Sequence, residues 1–183
     1  KMYEEYASSD YLNNGFTYYA ISKANGKEEE FNSKTERSQF IKLGSHEKPR
    51  DVKNASKKFE ILKLLALIYS QNNELEKAKL TYTEARKLAP NDEELKKGEF
   101  QIYYNAGYAL LADEEKIVNE INSSRDNAKK YDELVKKRKD MFAKALPDFE
   151  KAYSIDSTNE NLKTILKMTY DIVGQPEKAK TIN

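Results

Sequence analysis

The sequence has no cysteine and no tryptophan, and it has a single histidine. Without cysteine neither a disulfide framework nor a thiolate zinc site can form, and one histidine alone does not make an ordinary zinc site. Glycine and proline are scarce, six and four in 183 residues, which leaves few turns and argues for long helices over an all-β chain. Neither charge sign is in excess. With 32 basic against 31 acidic side chains the formal net charge is +1, so no bulk field draws nucleic acid or an acidic membrane. No apolar run approaches the roughly 18–20 residues that span a bilayer, so direct membrane insertion is not expected. The chain opens on Lys1-Met2-Tyr3 without an apolar leader, and no secretory signal is expected within it. Composition leaves the compartment open, since a cysteine-free chain suits oxidising and reducing surroundings alike.

What is present is charge and tyrosine. Charged residues make up 34%, above the ~25% norm, yet 13 Tyr and 7 Phe supply large apolar bodies, so the chain is read as folded. Helical periodicity dominates. Leu62, Leu65, Ala66 and Tyr69, then Ala78, Tyr82 and Ala85, each follow the spacing of one helix face. Asn72-Asn73 separates the groups, Asn73 is placed to cap the second helix, and Pro90 stops it, with Asn91 capping the next. This predicts an antiparallel helical hairpin over residues 59–92.

Leu62, Leu65, Ala66, Tyr69, Ala78, Tyr82, Ala85 and Pro90 occupy all eight signature positions of a tetratricopeptide repeat, which this stretch resembles. Ala66 and Ala78 are small where the helices cross, Leu65, Tyr69 and Tyr82 fill the space between them, and Ala85 admits the next unit. Weaker echoes follow. Ile165, Leu166, Tyr170, Gly174 and Ala179 repeat part of the spacing near the C-terminus, as do Ala145, Phe149 and Ala152. Tyr103, Ala106, Gly107 and Leu110 read as a first helix, and so do Tyr11, Asn14, Gly15 and Tyr18. The expected fold class is therefore all-α, an α-solenoid of about four hairpins in a single domain over 1–183, with units near 3–43, 54–90, 92–156 and 158–183.

Two units depart from the pattern. From Ala66 to Ala78 is 12 residues, from Gly107 to Ala145 it is 38, an insertion of 26 without Gly or Pro. Leu110, Ile117, Val118 and Ile121 going out, and Tyr131, Leu134, Val135 and Phe142 coming back, keep helical spacing. Both helices are expected to lengthen, turning near Asn122-Ser123-Ser124 with Ser124 or Asp126 as cap, and to stand about 20 Å beyond their neighbours. Pro147 is expected to bend the returning helix near Lys144. In the first unit the second helix is expected over 27–43, with Glu28-Glu29-Glu30 at its positive end, Phe31 and Phe40 inward, and residues 44–51 as a polar connection. The last helix, from Pro176, lacks the polar outer face that closes a solenoid.

Chemistry is sparse. His46 reads as a solvated loop residue, and no nucleophile–base–orienter set can be assembled around it. Phosphate-cradling glycine strings are missing, and Asn25-Gly26-Lys27 reads as a helix-ending turn. Asp113-Glu114-Glu115 diverges around a helix, and Lys136-Lys137-Arg138-Lys139 is offset by Asp132, Glu133 and Asp140, so both read as solvated faces. Asn54-Ala55-Ser56 and Asn122-Ser123-Ser124 are glycosylation strings only in a secreted eukaryotic chain. No cofactor, no metal and no catalytic residue is expected.

In repeats of this family the first helix of each pair lines a concave, ligand-facing side. Carried over by position, the resemblance points to Leu12, Phe16 and Tyr19; to Lys63, Leu67 and Gln71; to Tyr104, Tyr108 and Leu111; and to Thr164, Met168 and Asp171. It implies a non-catalytic scaffold that binds a peptide or protein segment, with Phe16, Tyr19, Tyr104 and Tyr108 as an aromatic platform. Core packing is the competing role for these four. Lys63 matches a position of the carboxylate-clamping members, but Leu67 stands where their Asn would be, so a chaperone C-terminus is not the expected partner. The strings Tyr104-Asn105-Ala106-Gly107 and Lys144-Ala145-Leu146-Pro147-Asp148-Phe149 look like tetratricopeptide proteins of Bacteroidetes, which implies a bacterial envelope or periplasmic setting. Two other roles stand beside this one: an assembly subunit that self-associates through residues 108–144 or the C-terminal helix, and an enzyme or regulatory domain with convergent carboxylates.

Overall fold

A computed structural model describes residues 2–182. Two short helices, α1 (Met2–Ala7) and α2 (Asp10–Asn14), lead into strand β1 (Phe16–Ser22). Then come β2 (Glu28–Phe31), α3 (Lys34–Lys42) and β3 (His46–Lys53). The remainder is helical: α4 (Ala55–Gln71), α5 (Leu75–Leu88), α6 (Glu93–Leu110), α7 (Glu114–Ser123), α8 (Ala128–Ile155), α9 (Glu160–Val173) and α10 (Pro176–Ala179). The molecule is thus mostly helical, as expected, but it is not all-α.

The correction lies in the first unit. Residues 16–53 form a three-stranded antiparallel sheet of order β2-β1-β3, with α3 packed against it, instead of a helical hairpin. Phe16-Thr17-Tyr18-Tyr19-Ala20-Ile21 is rich in aromatic and β-branched side chains, which fit a pleated surface better than a helix. Asn25-Gly26 is a hairpin turn, with Gly26 at φ +70° and the Asn25 side chain accepting from the Lys27 amide. Glu28-Glu29-Glu30 therefore lies on an edge strand. The residues expected as a polar connection are the α3–β3 turn and most of β3. Tyr19 pairs with Arg50 and Ile21 with Glu47, so Lys48 and Pro49 form a bulge, with Lys48 at φ +51°. The bulge and its proline blunt an exposed sheet edge. Phe31 is buried as expected, whereas Phe40 stays 39% exposed.

The central hairpin is where its spacing put it. Leu62, Leu65, Ala66, Tyr69, Ala78, Tyr82 and Ala85 are all buried between α4, α5 and α6. Two caps differ. Asn73 adopts a left-handed φ of +59° after α4 and does not cap α5, and Asp92, not Asn91, accepts from the Leu95 amide to start α6. α6 then packs on α8, and α8 on α9, around a second core with Phe142, Phe149, Leu162 and Leu166 at its centre.

The insertion is asymmetric. The outgoing path breaks after Leu110 and restarts as α7, whereas the return is one helix of 28 residues. Ile117 and Leu134 are buried between α7 and α8, and the Arg138 guanidinium holds Glu114 through Nε (3.0 Å) and Nη2 (2.7 Å). Asn127 caps α8 in place of the expected Ser124 or Asp126. Pro147 removes one backbone donor, yet α8 continues past it to Ile155.

A candidate binding groove between α6 and α9

On α6 the residues four apart fall in a row, and three of them are aromatic. Phe100 and Tyr104 stack with ring centres 5.6 Å apart, and Tyr104 and Tyr108 lie 4.8 Å apart. Tyr108 then meets the buried ring of Phe149 edge-on at 5.5 Å. Gly107 makes this junction possible, because a Cβ there would sit 2.5 Å from the Phe149 ring. The Tyr108 hydroxyl is pushed up to about 12 by burial and by its hydrogen bond with Tyr104, so it stays a neutral donor and acceptor.

Facing this row, α9 presents Asn161, Thr164, Ile165 and Met168. Together with Tyr104, Asn105 and Tyr108 they line a cavity of about 470 Å³ that carries no formal charge. Two exposed apolar side chains, Tyr108 at 40% and Met168 at 39%, mark its open side. Further along α6 a second hollow, about 460 Å³, adds Lys96, Lys97 and Gln101 beside Phe100, opposite Asp156 and Thr158. Asp156 is held below the usual carboxylate range by the hydroxyl and amide of Thr158.

Of the twelve residues carried over by position, Tyr104, Tyr108, Thr164 and Met168 come together in this groove. Asp171 is exposed on α9 but does not line it, and Leu111 is buried in the core at the end of α6. Leu67 and Gln71 are exposed along α4, and Lys63 is tied to Glu94 and Asp92. The N-terminal three are not on a concave helix together. Leu12 is fully buried on α2, Phe16 begins β1, and Tyr19 sits mid-strand, donating to Glu30 (3.2 Å) with the Arg50 guanidinium over its ring. The carry-over missed Asn105, Asn161 and Ile165. Asn161 lies one helical turn before Thr164 and Ile165, so extending the α9 row backwards finds it.

His46 departs from expectation. It is buried at 7% exposure, between the rings of Phe31 (5.2 Å) and Phe40 (5.4 Å), both edge-on. Its Nε2 lies 3.0 Å from the Glu29 carboxylate and its Nδ1 lies 2.9 Å from the Ser45 hydroxyl. A carboxylate–imidazole–hydroxyl chain therefore does assemble, contrary to the expectation from sequence. The Ser45 hydroxyl also lies 2.9 Å from the Phe40 carbonyl, where it closes the end of α3. The three side chains tie β2, α3 and β3 together at one point.

The remaining charged strings meet across α7 and α8. Glu114 is held by Arg138, and a depression of about 550 Å³ between α7 and α8 mixes Asp113, Glu133 and Asp140 with Lys136, Lys137 and Lys144. Among the described residues no group of His, Asp or Glu is placed to hold a metal, and no helix is long and apolar enough to cross a membrane. The first glycosylation string is sealed, since Asn54 is fully buried and bonded to Thr17, Tyr11 and Gly15. No model of a known protein family matches the chain, and no curated protein matches it significantly.

Proposed function

We propose that this chain is a non-catalytic binding module in which α4–α5, α6–α8 and α9–α10 stack as tetratricopeptide-like hairpins into a short solenoid. The α6–α9 groove is its binding face, and the ligand is a segment of another protein. The observation that carries this reading is the convergence of Tyr104, Tyr108, Ile165 and Met168 from two helices onto one uncharged, open cavity flanked by two side-chain amides. Aromatic and thioether side chains bury large area at modest entropic cost, and the amides of Asn105 and Asn161 suit the donors and acceptors of a peptide backbone.

The test is selection of peptides from a displayed random library on the intact protein. Enriched peptides should bind tenfold or more weakly to Tyr108→Ala and Met168→Ala, with unchanged helical circular dichroism. Peptides that ignore both substitutions would move the binding face elsewhere.

A second reading, self-assembly through the long hairpin, is favoured by Tyr131 and Val135, which stay 39% and 41% exposed one turn apart on α8. Light scattering that reports a monomer at every concentration removes it.

A further inference from the structure

The helical part has two hydrophobic cores, not one. Leu62, Tyr82, Leu95 and Ile102 belong to the first, and Phe142, Phe149, Leu162 and Leu166 to the second, with Tyr103 packed against both. Beside Tyr103, where α5 and α8 face each other across α6, the contacts are ionic. Lys79 on α5 reaches Asp148 on α8 at 2.8 Å. The ammonium groups of Lys79 and Lys151 approach the Tyr103 ring at 5.6 Å and 5.8 Å.

At the centre of this seam stands Glu99, whose side chain is only 4% exposed. Its carboxylate accepts one hydrogen bond, from the Thr83 hydroxyl at 3.3 Å. The two cations aimed at it stop short of hydrogen bonding, Arg86 Nη1 at 3.7 Å and Lys151 Nζ at 3.6 Å. Arg86 Nε and Nη1 are themselves buried with no hydrogen-bond partner. Glu99 and the inner nitrogens of Arg86 are buried while the Lys151 side chain is 43% exposed, so the carboxylate and the guanidinium are poorly compensated for their lost hydration, and apolar side chains of similar volume would hold the helices together at least as well. What the charges add is direction. Arg86 comes from α5, Glu99 from α6 and Lys151 from α8, so a rotation or slide of either flanking helix would take one of two cations away from a buried carboxylate. A purely apolar seam tolerates such slides.

We propose that Glu99 is a positioning residue that sets the angle between the α4–α5 pair and the α6–α8–α9 block, at a cost in stability. The inference rests on helix packing alone and stands whether or not the groove binds a peptide.

The cysteine-free chain makes the test direct, because Glu60→Cys on α4 and Lys167→Cys on α9 give two unique spin-label sites on exposed positions. Pulsed electron paramagnetic resonance on the parent should give one narrow distance distribution. The triple variant Glu99→Leu, Arg86→Met, Lys151→Met should keep or raise the thermal midpoint while the distribution broadens or moves by several ångströms. Glu99→Gln, which keeps the shape and removes the charge, should broaden it too while lowering the midpoint. A narrow, unmoved distribution in both variants overturns the proposal, since packing alone would then set the angle. A triple variant that melts earlier or does not fold also overturns it, since the seam would then be a source of stability.

Discussion

Gly107 shows how much one missing methyl decides. Its Cα faces the fully buried Phe149 ring, and an added Cβ would lie 2.5 Å from a ring carbon that has nowhere to move. Gly107→Ala should destabilise the protein by about 1–3 kcal/mol in urea denaturation, and it should do so by forcing α6 from α8. Two titrations also belong to single residues. The Glu29 carboxyl is held below its ordinary value chiefly by the hydrogen bond from His46. A lowered folded-state value means that the stabilisation is complete above the ordinary carboxylate value and is lost as pH falls through the folded one. Protection factors of the β2 and β3 amides, with the intrinsic pH dependence of exchange divided out, should therefore fall on acidification below about pH 4.5, and Glu29→Gln should remove that dependence. At the alkaline end the Tyr108 hydroxyl, raised to about 12, makes its contribution below the ordinary tyrosine value and loses it as pH rises through about 12. Absorbance at the phenolate band should show late-titrating tyrosines, and Tyr108→Phe should remove one of them.

Among the elements, α8 is the longest and carries the one helical proline outside a first turn. Its 28 residues reach about 42 Å. Pro147 is exposed, so the missing hydrogen bond and ring clash have no packing benefit to offset them. Pro147→Ala should raise stability by about 1–3 kcal/mol, read as a higher thermal midpoint. The start of α6 depends on Asp92, whose carboxylate accepts from the Leu95 amide at 2.8 Å. Asp92→Ala should cost about 1 kcal/mol. The expected symmetric extension came from reading the insertion as two matched rods. Leu111, buried at the end of α6, anchors the break that makes them unequal.

On the scale of the molecule, the sheet is a side unit with adjoining ends. Phe16 pairs with Lys53, and the Asn54 amide donates to the Gly15 carbonyl at 3.0 Å, so the chain leaves and re-enters the helical part at one point. Replacing residues 16–53 by a short glycine linker should leave the helical circular dichroism of α4–α9 in place, because neither helical core includes a buried residue from that stretch. Collapse of the helical signal would show that the sheet supports α4.

The sequence alone determined the central hairpin. Leu62, Leu65, Ala66, Tyr69, Ala78, Tyr82 and Ala85 repeat at helical intervals, and such local periodicity leaves each helix one face to bury. Of the residues that the repeat resemblance points to, Tyr104, Tyr108, Thr164 and Met168 line the cavity between α6 and α9. Local periodicity failed over residues 16–53, where few apolar side chains sit among many charges. There Asn25-Gly26 and the pairing of distant strands decide, and pairing partners are not written in local spacing. Tertiary structure likewise decided the fate of His46 and Glu99. A histidine in a polar string and a glutamate in a charged helix look solvated in one dimension. They become buried only when Glu29, Phe31 and Phe40, or Thr83, Arg86 and Lys151, arrive from other elements, because burial is a property of what packs around a residue and not of the residue itself.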